Sequence, residues 1–293
     1  WKILSDVLIC SKLSYMPVSN SFYKNLFNGI NLRIKKSFNN PYKDVNINWF
    51  SLKYLKHIPA NKIHSHKLLD YETFFYGGSE YLHGLKEIFI EGVYNQKLPE
   101  NAYILDCGAH IGLSVIYLKS ICPTANIVCF EPDAKNFELL QRNISSHQLK
   151  NIEAKEEAVW FENTSLNFIQ DGNMGSKIGE ANLSHSVTVK ATRLKDYLNK
   201  KVDFLKMDIE GAEYKVLKDI SDNLENVNKM FIEYHGTFDQ NNELLEILEM
   251  VSKAGFKFYI KEAASVYDQP FLPKASSGEY DLQLNMFCFR NLT

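Results

Sequence analysis

Short apolar runs alternate with stretches of helical periodicity along most of this chain, and their order predicts an open sheet covered on both faces. Runs at 103–107, 127–131, 152–159, 202–208, 230–235, 256–261 and 284–290 are too continuous for strands with one wet side. Between them, apolar residues recur at helical spacing over 113–121, 136–144, 212–220 and 243–254. Strand–helix alternation of this kind predicts an α/β fold with a doubly wound, mostly parallel sheet. No helical pattern separates the last two runs, only a loop containing Pro and Ser, so the last strand is expected to be antiparallel. Two segments break the rhythm. Residues 166–170 and 186–191 alternate by two around a stretch rich in Gly, Asn and Ser, which predicts a β-hairpin insertion near 164–192.

Residues 1–75 read differently, with broken patterns rich in Asn, Lys, Ser and aromatics. They are expected to form a helical or irregular cap or lead-in to a domain spanning 76–293. An amphipathic helix is expected just before the first strand, because Leu82, Leu85, Ile88 and Phe89 share a face. Opening on Trp1 rather than Met, the chain reads as a fragment or a trimmed chain.

Charge and cysteine content narrow the class. A formal net charge of −2 gives no global pull toward nucleic acid or an anionic membrane, and the basic patch Arg33–Lys36 is short. The five cysteines lack C-x-x-C or metal-like spacing, which fits a reducing compartment and a cytoplasmic location. No apolar stretch approaches the roughly 20 residues of a membrane span. Lys2 and Asp6 interrupt the first apolar run, against a signal peptide.

The most informative stretch is 103–133. A strand ends at Asp106, a turn from Gly108 to Gly112 opens a helix, and the next strand ends at Glu131. A dinucleotide fingerprint requires G-x-G-x-x-G, so that bare backbone can approach a pyrophosphate. Here Asp106 and Ile111 hold the first and third glycine positions. A carboxylate there suits a cofactor bearing an ammonium group, such as S-adenosylmethionine, better than a pyrophosphate. Glu131 follows about 20 residues on, where an acidic side chain accepts from both ribose hydroxyls. Asp106 could instead cap the following helix, and Asp133 is expected to cap the next one.

Further along, Asp208 and Glu210 in DIEGAE sit at a strand end and in the turn after it, while Glu213 falls in a first helical turn, as a structural carboxylate would. In FIEYHG, Glu233 and His235 share one face of an extended segment, placing an imidazole where it can take a proton from a hydroxyl. Asp208, Glu210, Glu233 and His235 are therefore the candidate catalytic residues. No third carboxylate near Asp208 in sequence supports a metal, and none is expected.

ILDCGAHIGLS, VCFEPD, FLKMDIEGAEYKVL and MFIEYHG, in this order, resemble the FkbM-type methyltransferases, a branch of the class I S-adenosylmethionine-dependent enzymes. The resemblance covers roughly residues 80–290, and DIEGAE is its most specific part. It implies a Rossmann-like seven-stranded sheet with the last strand reversed. It further implies that Asp106, Gly108 and Gly112 hold the methionine end of the cofactor, with Ala109 and His110 in the same turn. Glu131 with Pro132 would hold the ribose, and residues around Glu157 and Ala158 the adenine. His110 stands where the family usually has Asn. The implied acceptor is a hydroxyl on a sugar, glycan or related metabolite, with no nucleic-acid partner. A nicotinamide-dependent oxidoreductase or epimerase, or a non-catalytic binding module on the same fold, are the competing readings.

Overall fold

A computed structural model describes residues 40–169, 177–178, 186–267, 269–271 and 280–290. Residues 1–39 of the cap expected over 1–75, with Cys10 and the basic patch, lie outside them, as do the tip of the expected hairpin insertion and much of the loop before the last strand. The chain divides into two units, 1–54 and 55–293. In the first, a short 3-10 turn (Pro41–Val45) is capped by Asn40, whose side chain accepts from the Tyr42 amide at 3.1 Å. Helix α1 (Trp49–Leu55) follows and runs to the boundary.

The second unit opens with an antiparallel ribbon, β1 (His64–Leu68) and β2 (Tyr71–Phe75), inside the stretch read from sequence as helical or irregular. Its two-residue turn has positive φ at both Leu69 (49°) and Asp70 (71°), the geometry that favours hairpins. Leu-Asp is not the Asn-Gly signature of such a turn, so the ribbon leaves no clear mark in the sequence. Helix α2 (Gly78–Leu85) runs into a single π turn over Lys86–Ile90.

The core is a seven-stranded sheet of β3 (Tyr103–Cys107), β4 (Asn126–Phe130), β5 (Ile152–Lys155), β10 (Val202–Met207), β11 (Val227–Gly236), β12 (Lys257–Glu262) and β13 (Leu282–Phe289). Their spatial order is β12-β13-β11-β10-β3-β4-β5, with β13 antiparallel to both neighbours and the rest parallel, as the sequence pattern predicts. Helices α3 (Leu113–Ile121), α4 (Ala134–Ser146), α5 (Glu213–Ile220) and α6 (Asn241–Lys253) make the crossovers. Val216, Leu217 and Ile220 of α5, with Ile247 and Val251 of α6, are buried in the same cluster as Met207, Ile232 and Tyr234 of the sheet. The strand order reverses between β3 and β10, so their carboxyl ends frame the crevice where such sheets take ligands.

The run 152–159 does not make one strand. The chain leaves the large sheet after β5 and starts a second one at β6 (Ala158–Trp160), with the polar Glu156–Glu157 pair at the break. The small sheet has the order β6-β9-β7-β8, built from β7 (Thr164–Ile169), β8 (Lys177–Ile178) and β9 (Ser186–Arg193). Strands β7 and β9 pair antiparallel, and β6 lies parallel to β9. Among the described residues no helix is long and apolar enough to cross a membrane.

One buried amide ties the ribbon to the crevice. Asn143 on α4 accepts from the Phe74 amide (2.7 Å) and donates to the carbonyls of Phe74 (3.0 Å) and Ile111 (2.8 Å). It is fully buried, so an apolar replacement leaves those backbone groups without partners. Asn143→Leu should therefore lower unfolding stability by about 3 kcal/mol in urea titrations, since each stranded buried group costs about 1–3 kcal/mol. A change below about 1 kcal/mol would show that ribbon and turn are held by packing alone.

Candidate functional site

Strand β3 ends in a turn that crosses to the end of β4. The amides of Gly108 and Ala109 both donate to the Phe130 carbonyl, at 3.1 and 2.9 Å. Gly108 has φ of +88°, and a Cβ there would lie 1.8 Å from the Asp208 carbonyl oxygen, so no side chain fits between the ends of β3 and β10. His110 follows at φ of +49°, in the left-handed region where Asn and His are enriched among non-glycine residues. Gly112 then opens α3.

Glu131 locks this turn from the end of β4. Its carboxylate accepts from the His110 amide at 2.8 Å and the Asp133 amide at 2.9 Å. Asp133 in turn caps α4, accepting from Lys135 and Asn136, so turn, acidic residue and helix start form one hydrogen-bonded unit. Burial raises the Glu131 carboxyl above its usual range, opposed by the nearby His110 and the two amides. The His110 ring reaches Glu80 on α2 at 3.3 Å. Burial alone would depress that imidazole, but the hydrogen bond and charge of Glu80, with Glu131 and Asp208, raise it.

Asp106 lies beneath the turn. Its carboxylate is fully buried, accepts from Ser114 Oγ at 2.6 Å, and lies 3.4 Å from Lys206 Nζ. It does not cap α3, whose N-cap is Gly112, and it is not among the residues that border the cleft; it is held in an internal ion pair. Lys206 is the residue that sequence reasoning passed over. Buried on β10, it donates to the Gly108 carbonyl (2.7 Å) and to Asp208 (3.2 Å), tying the glycine turn to the next strand end. Its only sequence signal is a lysine inside the apolar run VDFLKM, two residues before an aspartate.

The turn after β10 carries the second half of the site. Glu210 holds φ of +54° and Gly211 +93°, a conformation kept by specific partners rather than by preference. Glu213 accepts from the amides of Ile209 (3.1 Å) and Gly211 (3.0 Å), and lies 3.3 Å from His235 Nδ1. The other ring nitrogen, Nε2, lies 3.6 Å from Glu210 and 3.7 Å from Glu233. Burial would strip the proton from His235, but the bond to Glu213 and the charges of Glu213, Glu210 and Asp208 push it up to about 10. Burial and the Asp208 charge push Glu233 up to about 9. Burial pushes Glu210 up to about 7, with His235 opposing and Asp208 adding to the rise. These groups share their protons as one cluster. The surrounding carboxylates therefore favour the protonated imidazole of His235.

One cleft of about 1100 Å³, its open mouth included, joins the two halves. Gly108, Ala109, His110, Glu131 and Pro132 border one part, and Glu157 and Ala158 flank it; Glu157 is also paired with Lys190 at 2.6 Å. Asp208 and Glu210 border the other part, and Glu80 and Glu87 of the α2 segment line the same cleft. Gly112, Glu233 and His235 are not among the residues that border it.

Residues 106–258, more than half of the chain, match the model of the methyltransferase FkbM domain. "Methyltransferase 1" of Beauveria bassiana is 30% identical over 198 residues, covering 57% of this chain and 79% of the relative. "Methyltransferase sdnD" of Sordaria araneosa is 29% identical over 175 residues, covering 47% and 68%. Among solved structures, the methyltransferase FkbM from Methylobacillus flagellatus KT aligns at a TM-score of 0.45 and 16% identity, over 67% of this chain and 46% of that one. The glycine turn, Glu131 and the DIEGAE segment all fall within the matched span, and the chain belongs to the FkbM methyltransferase family.

Proposed function

We propose that this chain transfers a methyl group from S-adenosylmethionine to a hydroxyl of a small molecule or glycan. The observation that carries this reading is a single cleft with a glycine cradle and buried acid at one end and two carboxylates at the other. The residues fit the cofactor. Gly108 leaves the turn bare, Glu131 is oriented by two amides with lone pairs to spare for a ribose, and Ala158 leaves room beside Glu157 for a base. Ile111 in place of a third glycine speaks against a nicotinamide dinucleotide.

Bound there, S-adenosylmethionine supplies a methyl group made electrophilic by its sulfonium. The chain aligns the acceptor and excludes water. Asp208 orients the acceptor hydroxyl, and the Glu210 carboxylate takes its proton as the oxygen–carbon bond forms and the carbon–sulfur bond breaks. His235 and Glu233 support Glu210 and Asp208. Glu87, Asp208 and Glu210 make the acceptor end acidic, which disfavours a phosphodiester and favours a neutral acceptor.

The test is to denature the purified protein, identify any released cofactor by mass spectrometry, and supply methyl-labelled S-adenosylmethionine with neutral glycans, nucleotide sugars and hydroxylated metabolites. Released nicotinamide compounds would overturn the reading. Failure to bind added S-adenosylmethionine would favour the binding module. Glu131→Ala should weaken calorimetric S-adenosylmethionine affinity about 10- to 100-fold, the worth of one or two charge-assisted hydrogen bonds; unchanged affinity would remove Glu131 from the cofactor site.

A further inference from the structure

We propose that Asp208, Glu233 and His235, completed by the Asn285 amide oxygen, form a divalent-cation site at the acceptor end of the cleft. Sequence reading expects no metal because no third ligand lies near Asp208 along the chain. The sheet supplies it across strands. Asp208 follows β10, one step beyond the Met207–Ile232 pair, which sets it beside Glu233 on β11, and Glu233 is paired with Asn285 on β13. One ligand-capable atom each from Asp208, Glu233 and His235 lies within 4.8 Å of the others. Ligands about 2.1 Å from an octahedral ion stand about 3 Å apart when adjacent and about 4.2 Å when opposed, so small side-chain shifts close the set.

Two further features point to a ligand. His235 is held at Nδ1 by Glu213, which turns Nε2 toward the carboxylates of Glu233 and Glu210. A carboxylate on the far nitrogen is how proteins orient a metal-binding imidazole. The second is Asn285, which donates Nδ2 to Glu87 at 3.1 Å while its Oδ1 is buried with no hydrogen-bond partner among the described residues. Cross-strand partners project to the same face, so this amide stands beside Glu233. Lys206 engages Asp208 through Oδ2, leaving Oδ1 for an ion. A set of two carboxylates, one imidazole and one amide oxygen suits Mn²⁺ better than Ca²⁺, which takes oxygen ligands. Such an ion would polarise the acceptor hydroxyl, a role that rests on the methyl-transfer reading, whereas ion binding itself does not.

Mn²⁺ alone should therefore bind saturably to the metal-stripped full chain, followed by electron paramagnetic resonance of the free ion. Glu233→Gln and His235→Asn should each weaken that affinity at least about tenfold, while Glu246→Gln on α6 leaves it unchanged. If the His235 variant melts early by circular dichroism, Glu233→Gln and Asn285→Leu decide. No saturable Mn²⁺ binding, or equal affinity in the folded variants, overturns the proposal. Mn²⁺ binding that persists when no acceptor is methylated upholds the site and counts only against the reaction.

Discussion

Lys206→Met should cost the fold about 3–5 kcal/mol, the usual penalty for removing one partner of a buried ion pair. The Lys206 side chain is 3% exposed and faces the fully buried Asp106 and the Asp208 carboxylate. Burial works against its charge, yet Asp208, Tyr94 and Asp106 hold its ammonium well above the ordinary lysine range. Without it, Asp106 keeps only the Ser114 hydroxyl, and the Gly108 carbonyl loses its donor. The loss should appear as a lower urea midpoint with an unchanged slope. Adding Asp106→Asn to the same chain should restore about 1–3 kcal/mol, because the two residues share one interaction. A Lys206→Met chain as stable as wild type would mean that desolvation of the ammonium already cancels its pairing.

The same residue marks the limit of what the sequence reveals. Apolar runs and glycine turns report backbone path and burial, and they suffice for the seven strands, their crossovers and the reversed β13. They do not report which polar groups pair beneath the surface. Asp106 reads as a ligand contact because it ends a strand at a glycine turn, but its partner Lys206 lies a hundred residues away and meets it only through the β3–β10 register. Glu213 reads as a helix-start carboxylate. It does lie there, but it also holds two amides of the preceding turn and orients His235. His235 reads as a base because a free imidazole titrates near neutrality. The carboxylates around it, Asp208, Glu210 and Glu213 from one turn and Glu233 from its own strand, raise its pKa. The split between β5 and β6 is hidden for a different reason: one polar pair inside an apolar run looks like a face change, not a change of sheet.

Glu210→Gln should lower turnover about 10²- to 10⁴-fold, the range for losing a general base. The assignment rests on position. Glu210 and Asp208 border the cleft, whereas Glu233 and His235 are not among its lining residues. Its place in the turn is fixed independently of its carboxylate. Tyr280 donates to the Glu210 carbonyl at 2.8 Å, and Glu213 holds the amides on either side. A glutamine can keep that backbone and fill the same volume while losing the capacity to accept a proton as an anion. S-adenosylmethionine affinity should therefore stay within about twofold, since uniform binding is untouched when only the chemical step is impaired. Single-turnover methyl transfer, measured beside calorimetric cofactor binding, separates the two. If the variant instead turns over like wild type, methyl transfer here proceeds by alignment alone, with the hydroxyl proton leaving to solvent after the carbon–oxygen bond has formed. If turnover and affinity fall together, the turn has moved, and Glu210 is a structural support rather than a base.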